Sequence, residues 1–509
     1  MNQIGNIFRK DFRHHWREVV ASLMLLIGFA WVEIREWSEN VKAFGIGAGA
    51  GVLLPILSQL IVPLVPISWM FLVVRAIQGE SLVGDRQFWV TRPYDWKKLL
   101  VTKIAFVLGF VNIPLFLLDT FLLAKAGFRP TSYLVGLLWL QMFWAFVILL
   151  PTAALATVTA SIGQMLLALL FVVLYFISMA ALASAVPNSS FSENVGPVYF
   201  LLVMATALVV ILLQYSRRKT AVSRWLIAGL GTLVVLVIVL TPYRTLILHA
   251  YPLVSSTSSP LQISLLPAKA PDPEHAMKMG EIVPLRFPVS VSGMSSDSFV
   301  SVTGTILTLT NGQGEHWDSG WLPRGTLLFP DQKTTDIDLY AKLPVFDKFK
   351  STPVHVRLLL AFDVFRDKDR RPMVVPRGEF VLPEVGVCSA KAAVSNPLTC
   401  RLPLRGPEFL LFTSDLATNT CPSPKGQTRP QAGSFARGSM RYGSAPVEPG
   451  ISPVLQASVY LSGTSTATGI CPGTPLILSN PEQIGRGRIE LDLGQVSLPD
   501  YQQSSAQNP

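Results

Sequence analysis

The hydrophobic pattern changes character once along this chain. Before residue 242 it consists of long, nearly unbroken apolar runs, and after it of short β-branched runs separated by Pro and Gly. Runs near 20 residues match a hydrocarbon core of about 30 Å and predict membrane-spanning helices. Seven such spans are predicted, at 18–34, 52–74, 104–123, 133–156, a fifth ending near Ala185, 198–213 and 225–240. The second contains Pro55, Pro63 and Pro66, which packed membrane helices accommodate as kinks. A turn at 161–164 separates the fourth span from the fifth. Ahead of them, residues 1–16 interleave Ile4, Ile7 and Phe8 with Arg9, Lys10 and Arg13, the pattern of a helix lying on a membrane surface.

Past residue 242 the period falls to two. The stretch 299–310 alternates β-branched and polar residues and closes on Asn311-Gly312, a turn signal. Similar runs at 282–291, 335–343, 354–365, 378–382, 455–461 and 488–493 predict a mostly β, sandwich-like domain. The Gly-, Ser-, Pro- and Arg-rich stretch 427–449 reads as a long exposed loop, and the tail from Gln502 as disordered. The predicted organisation is an interfacial helix (1–16), a six-span membrane domain (17–215), a basic loop with a seventh span (216–242) and an extracytoplasmic β domain (243–509).

Charge and cysteine usage add orientation. Only 15% of residues are charged, and the net charge is +10. With the amino terminus inside, fourteen Lys and Arg fall on cytoplasmic stretches (among them Arg9, Arg17, Arg75, Lys97, Lys103, Arg217 and Arg224). Five fall outside: Arg35, Lys42, Lys125, Arg129 and Arg244. Positive residues are retained in the cytoplasm, so this orientation is favoured, and an odd span number then places the carboxyl half outside. No aromatic-basic platform accompanies the charge, which argues against a nucleic-acid partner. Cys388, Cys400, Cys421 and Cys471 all lie in the last quarter, as expected of two disulfides in an oxidising space. The short loop favours Cys388–Cys400 with Cys421–Cys471; a thiolate zinc site lacks the usual paired spacing.

The stretch 78–103 mixes Phe88, Trp89, Tyr94 and Trp96 with charges of both signs, and Pro93 divides it into two short helical pieces. Aromatic and Arg residues on a compact polar loop make interface anchors; the same residues also suit a connector at the headgroups. Glu80, Gly84, Phe88, Trp89, Arg92, Pro93, Trp96 and Lys103 resemble the cytoplasmic coupling region of ABC-2-type transporter permeases, and residues 7–13 resemble that family's amino-terminal interfacial helix. The resemblance covers about residues 1–215 and implies a permease driven by a separate ATPase, which would bind at Glu80, Gly84, Phe88, Trp89, Arg92, Pro93 and Trp96. It also implies a second copy or a related subunit. The seventh span and the β domain depart from the family's usual form. The chain carries no GxxxxGK[ST] loop, so ATP is expected on the partner subunit, and no cofactor in this chain.

Within the spans, Asn112, Asp119 and Gln141 are candidates for a transport pathway, and Gln164 for helix-to-helix hydrogen bonding. The histidines form no HExxH motif, and no GxSxG elbow is present. Asp336 and Asp338 share one strand face, which reads as solvated rather than catalytic. The expectation is a non-enzymatic permease subunit of an ABC exporter in a bacterial inner membrane. Its rival is a non-transporting anchor for an extracytoplasmic sensing or scaffolding domain.

Overall fold

The computed structural model describes residues 3–39, 53–79, 95–185, 196–240, 243–254, 261–268, 281–332, 334–382, 385–390, 398–403, 409–415, 435–441, 451–459, 461–462, 467–468 and 470–503. Its amino-terminal half is helical: α1 (Gln3–Glu39), α2 (Leu53–Gln78), α3 (Trp96–Val107), α4 (Ile113–Lys125), α5 (Leu134–Trp144), α6 (Leu150–Val158), α7 (Ile162–Ala185), α8 (Gly196–Arg217), α9 (Thr220–Leu240) and α10 (Tyr243–Ala250). Five-residue π-helical segments join α3 to α4 (Leu108–Asn112) and α5 to α6 (Ala145–Leu149), so each pair forms one continuous rod. Among the described residues, four stretches are long and apolar enough to cross a membrane: Ile56–Gln78, Trp96–Lys125, Pro130–Val158 and Phe200–Arg217. Four thus stand where the sequence predicts seven. Helices do occupy the other three places, in α1, α7 and α9. Glu18, Glu33 and Arg35 interrupt the apolar run of α1, and α7 qualifies only as the shorter apolar stretch Ile162–Tyr175. Large apolar side chains such as Ile27, Leu117, Trp139 and Phe171 are more than half exposed on the outer faces of these helices, the surface a lipid solvent requires.

The carboxyl-terminal half contains β1 (Gln262–Leu265), β2 (Ile282–Ser292), β3 (Ser298–Asn311), β4 (His316–Asp318), β5 (Leu322–Leu328), β6 (Thr335–Lys342), the short α11 (Leu343–Phe349) and β7 (Val354–Arg366). There follow β8 (Arg371–Val374), β9 (Gly378–Leu382), β10 (Gly386–Ala390), β11 (Leu398–Pro403), β12 (Phe409–Asp415), β13 (Phe435–Arg441), β14 (Val454–Val459), β15 (Leu461–Ser462), β16 (Ala467–Thr468), β17 (Pro475–Ser479) and β18 (Glu482–Val496). The single sandwich expected from sequence is two. In the first, the sheet β1-β2-β6 faces β18-β7-β3-β4, with β5 also paired to β3. Val283, Leu285 and Phe287 of one sheet pack there against Val302, Leu358 and Phe362 of the other. The second is inserted between β7 and β18: the sheet β14-β11-β10-β9 faces β16-β15-β13-β12-β17-β8 over Leu382, Cys400, Leu402, Phe412 and Leu478.

Strands buried on both faces tie these bodies together. In β12, Leu410 and Phe412 enter the second core, while Phe409 and Leu411 point the other way. They meet Phe299, Phe329 and Phe365 of the first sandwich, with the Phe365 and Phe409 rings 4.9 Å apart. Two-faced burial follows from the side-chain period of a strand.

The expected loop at 427–449 is corrected in part, because β13 lies within it and pairs antiparallel with all of β12. Its sequence, FARGSMR, shows little apolar alternation, and backbone hydrogen bonding makes it a strand. The expected disorder of the tail is corrected at its first two residues, while 504–509 lie outside the described residues. Gln502 is buried in an isolated bridge to Leu285, and the Gln503 N–H donates to the Pro284 carbonyl.

The helical and β halves meet at one set of helix ends. Ile451 and Val454 join the apolar core of the helices, and Arg401 lies 5.9 Å from the Trp37 ring near the end of α1. Gly386 (φ +152°) opens β10; a Cβ there would fall 2.0 Å from the Arg401 carbonyl oxygen and 3.3 Å from Phe128 in the α4–α5 turn. Only glycine permits that approach. Arg488 of β18 donates to the Leu248 and Tyr251 carbonyls, clamping α10 to the sheet. Arg9, Lys97, Lys98, Arg217 and Arg224 belong to the opposite ends of their helices, and Lys219 to the turn between α8 and α9.

Candidate functional site

The site is built on two matched irregularities. Pro114 and Pro151 have no N–H for an i→i−4 bond, and a proline ring crowds that carbonyl. In both rods the residue just before the proline bonds five residues back instead: the Ile113 N–H to the Leu108 carbonyl, and the Leu150 N–H to the Ala145 carbonyl. A π-bulge is a common answer to this conflict and is frequent at functional sites.

Asn112 closes the first bulge, and Asp119 lies two turns further along the same rod, on the same face. Both face α5. Gln141 Nε2 donates to Asp119 Oδ2 at 3.0 Å, and Asn112 Nδ2 reaches the Gln141 backbone and side-chain oxygens at 3.4 and 3.5 Å. Asp119 is 0% exposed, and neither its Oδ1 nor Asn112 Oδ1 has a hydrogen-bond donor among the described residues. The three residues singled out by sequence as a pathway thus form one buried polar chain between two spans. Gln164 does not join it: its side chain accepts from the Ala160 N–H, and its own N–H donates to Ser161 Oγ. It is a helix-capping residue, in a local arrangement close to a capping box.

Gln141→Leu is expected to lower stability by about 1–3 kcal/mol, since it leaves the buried Asp119 carboxyl oxygen without that donor. Asp119→Asn keeps the acceptor and should change stability by less than about 1 kcal/mol. Thermal unfolding of the purified protein in one detergent compares the two.

At the basic end of the bundle, α1 is kinked at His15, which separates the amphipathic segment from the apolar rod. The segment is fastened to α3. Lys103 Nζ donates to Asp11 Oδ2 at 2.8 Å, with each side chain 5% exposed. Phe8 and Phe12 stack on Phe110 at 5.7 and 5.2 Å, and Phe106 lies 4.9 Å from the same ring. Charges are rarely buried unless paired in this way. Sequence reasoning placed Lys103 and Asp11 in separate motifs; only an acid and a base on two apolar-flanked helices hinted at the pair.

Of the expected coupling residues, Trp96 opens α3 and packs half-buried against the helical core. Glu80, Gly84, Phe88, Trp89, Arg92 and Pro93 lie outside the described residues. Of the cysteines, Cys388 and Cys400 are joined, as the sequence favoured, and Cys471 is also disulfide-bonded; Cys421 lies outside the described residues.

Two features of the β region bear on chemistry. Asp336 and Asp338 both lie against Arg286 of β2, at 3.6 and 3.2 Å, as an exposed ion-pair cluster. A cleft of about 480 Å³ opens at the seam between the sandwiches, lined by Asp297, Asp331, Asp367, Arg370 and Arg437. Its charges are mutually engaged: Arg437 with Asp331 and with the Phe329 ring, and Arg370 with Asp367. The Ser295 hydroxyl foremost holds the Asp297 carboxyl below its ordinary range. Among the described residues no three His, Cys, Asp or Glu side chains are grouped to hold a metal ion.

No protein-family model matches this sequence, and no curated protein matches it.

Proposed function

We propose that this chain is the membrane-embedded permease subunit of an ATP-driven exporter of the ABC type. In this reading it spans a bacterial inner membrane seven times, with its amino terminus in the cytoplasm and its β sandwiches outside. The single observation that carries the proposal is the joint between the amphipathic segment of α1 and α3, made by Asp11–Lys103 and the Phe8, Phe12, Phe106 and Phe110 rings. A force applied to the cytoplasmic segment by a nucleotide-driven ATPase is thereby delivered to the rod that carries Asn112 and Asp119. The pairing of that rod with α5 through Gln141 gives the movement a polar element to rearrange. The disulfide-bearing sandwiches sit at the far end of the bundle from the basic residues, in keeping with an oxidising outer space. A second copy or a related subunit completes the pathway.

The test is a pull-down of the tagged full chain from its native membrane in mild detergent, with ATP hydrolysis assayed in the eluate. The expected result is a stoichiometric ATPase that is lost on Trp89→Ala together with Arg92→Glu. An ATPase retained by that double variant would remove the proposed contact. One observation favours the anchor reading: Ile451 and Val454 seat the inserted sandwich directly in the helical core, as a fixed display of the β region requires. Recovery of envelope proteins alone, with no ATPase, would favour it.

A further inference from the structure

The helical bundle also has a recess, which touches the Asp119 network through Asn112. A cavity of about 220 Å³ lies between α2, α3, α6 and α8 and borders both π-bulges, through Leu108 and Asn112 on one side and Ala145 and Leu149 on the other. Its walls are almost wholly apolar. The polar side chains reaching it are Lys103, Asn112, Thr157 and Tyr215. Along α3 it runs from Leu100 to Asn112, about 18 Å at the helical rise, comparable to the depth of one hydrocarbon leaflet. Ile104 and Leu212, on opposite sides, are 50% and 40% exposed, so the recess opens sideways to the surrounding solvent, which for these helices is lipid. An apolar groove open to a bilayer is filled by hydrocarbon rather than by water.

The end of the groove nearest Lys103 is basic. Lys97 lies one turn before Leu100 and two before Ile104, on the same face of α3, and is exposed. Tyr215 ends the α8 wall just before Arg217 and Lys219, both exposed. Arg224 donates to the Val158 carbonyl, next to Thr157 of the α6 wall. Among the described acidic groups at this end, Asp11 is held by Lys103 and Glu18 faces Arg75, while Asp95 caps α3 by accepting from the Lys97 N–H. Among the described residues the collar is therefore positive in net charge. Basic collars at the cytoplasmic mouths of grooves between spans select anionic headgroups.

We infer that this groove is a binding site for an anionic phospholipid, with one acyl chain along the Leu100–Asn112 face and the phosphate against Lys97, Lys219 and Arg224. The inference needs only insertion in a membrane and not transport, so it stands or falls separately from the permease reading. The occupant is a lipid of the adjoining leaflet. Its chain lies beside the two π-bulges.

The experiment is native mass spectrometry of the full chain in mild detergent, titrated with dioleoylphosphatidylglycerol or dioleoylphosphatidylcholine. The wild type is expected to retain the anionic lipid roughly tenfold more tightly. Lys97→Gln with Lys219→Gln should erase that preference and leave phosphatidylcholine binding unchanged. Ile104→Trp, from the lipid-facing rim, should abolish retention of both lipids, with an unchanged thermal midpoint as the check on folding. Should it unfold the protein, Ala153→Leu from the opposite wall gives the same readout. Equal retention of the two lipids by the wild type, or full retention after the groove is filled, overturns the inference.

Discussion

Lys103→Met is expected to cost about 3–5 kcal/mol of stability, the largest effect of any single substitution proposed for this protein. The reason lies in the asymmetry between making and breaking a buried ion pair. Lys103 and Asp11 are each 5% exposed and 2.8 Å apart, in a setting of phenylalanine rings and apolar helix faces. Their mutual attraction roughly offsets the loss of hydration of both groups, so the intact pair adds little net stability. Removing the ammonium alone leaves the Asp11 carboxylate nearly out of contact with water, and that unpaired charge carries the penalty. Asp11→Leu combined with Lys103→Met should therefore recover most of the loss. Thermal unfolding of the four members of this cycle in one detergent measures the coupling directly. Additive losses, with no recovery in the double variant, would show that the two charges are independently solvated. The cycle also probes the functional proposal, because the double variant keeps the fold while replacing the ionic joint by an apolar one.

Replacing Cys388 and Cys400 together by Ala is expected to lower the stability of the β region by about 3 kcal/mol. Their sequence separation is 12, and closing a loop of that size restricts the unfolded chain by about that much. The two residues are direct cross-strand partners in β10 and β11, and both are buried in the second core. The ladder on either side, from Val387–Arg401 to Ser389–Thr399, holds the strands in place without the sulfurs, so the native structure should survive the change. Urea titration of the full chain, followed by proteolysis of the β region, gives the shift. Full burial also means that a reductant alone should leave the bond intact until denaturant opens the core. Rapid thiol labelling under native conditions would contradict that.

Much of the β architecture was legible locally. The β-branched and apolar runs at 299–310 and 354–365 predict β3 and β7 to within a residue or two, even though both strands are buried over most of their length on both faces. The strand β12 escaped the same test. Phe409, Leu410, Leu411 and Phe412 are consecutive apolar residues, buried on both faces because a second sandwich covers one side. At seven residues, β12 is also about half the length of β7, so its apolar run is short and has no alternating flank to mark it. For β13 the obstacle is the opposite one: its composition is that of a loop, and it is a strand because β12 offers a complete row of backbone partners.

The polar candidates divide in the same way. The sequence marked Asn112, Asp119 and Gln141 as a possible pathway and Gln164 as a helix-to-helix hydrogen-bonding residue, all as polar groups in apolar runs. Seven residues of helix put Asn112 and Asp119 on one face whatever the packing, since two turns return a side chain to its starting direction. Nothing local says that Gln141, on another helix, completes the chain or that Gln164 turns back to cap its own.

From the sequence alone came the apolar helices, the short strands and the Cys388–Cys400 pairing, each of which depends on residues close together along the chain. The insertion of one sandwich between β7 and β18, the burial of Asp11 on Lys103, and the union of Asn112, Asp119 and Gln141 belong to the tertiary structure. A buried polar group must find its partner wherever packing places one, and for Lys103 that partner stands 92 residues away along the chain.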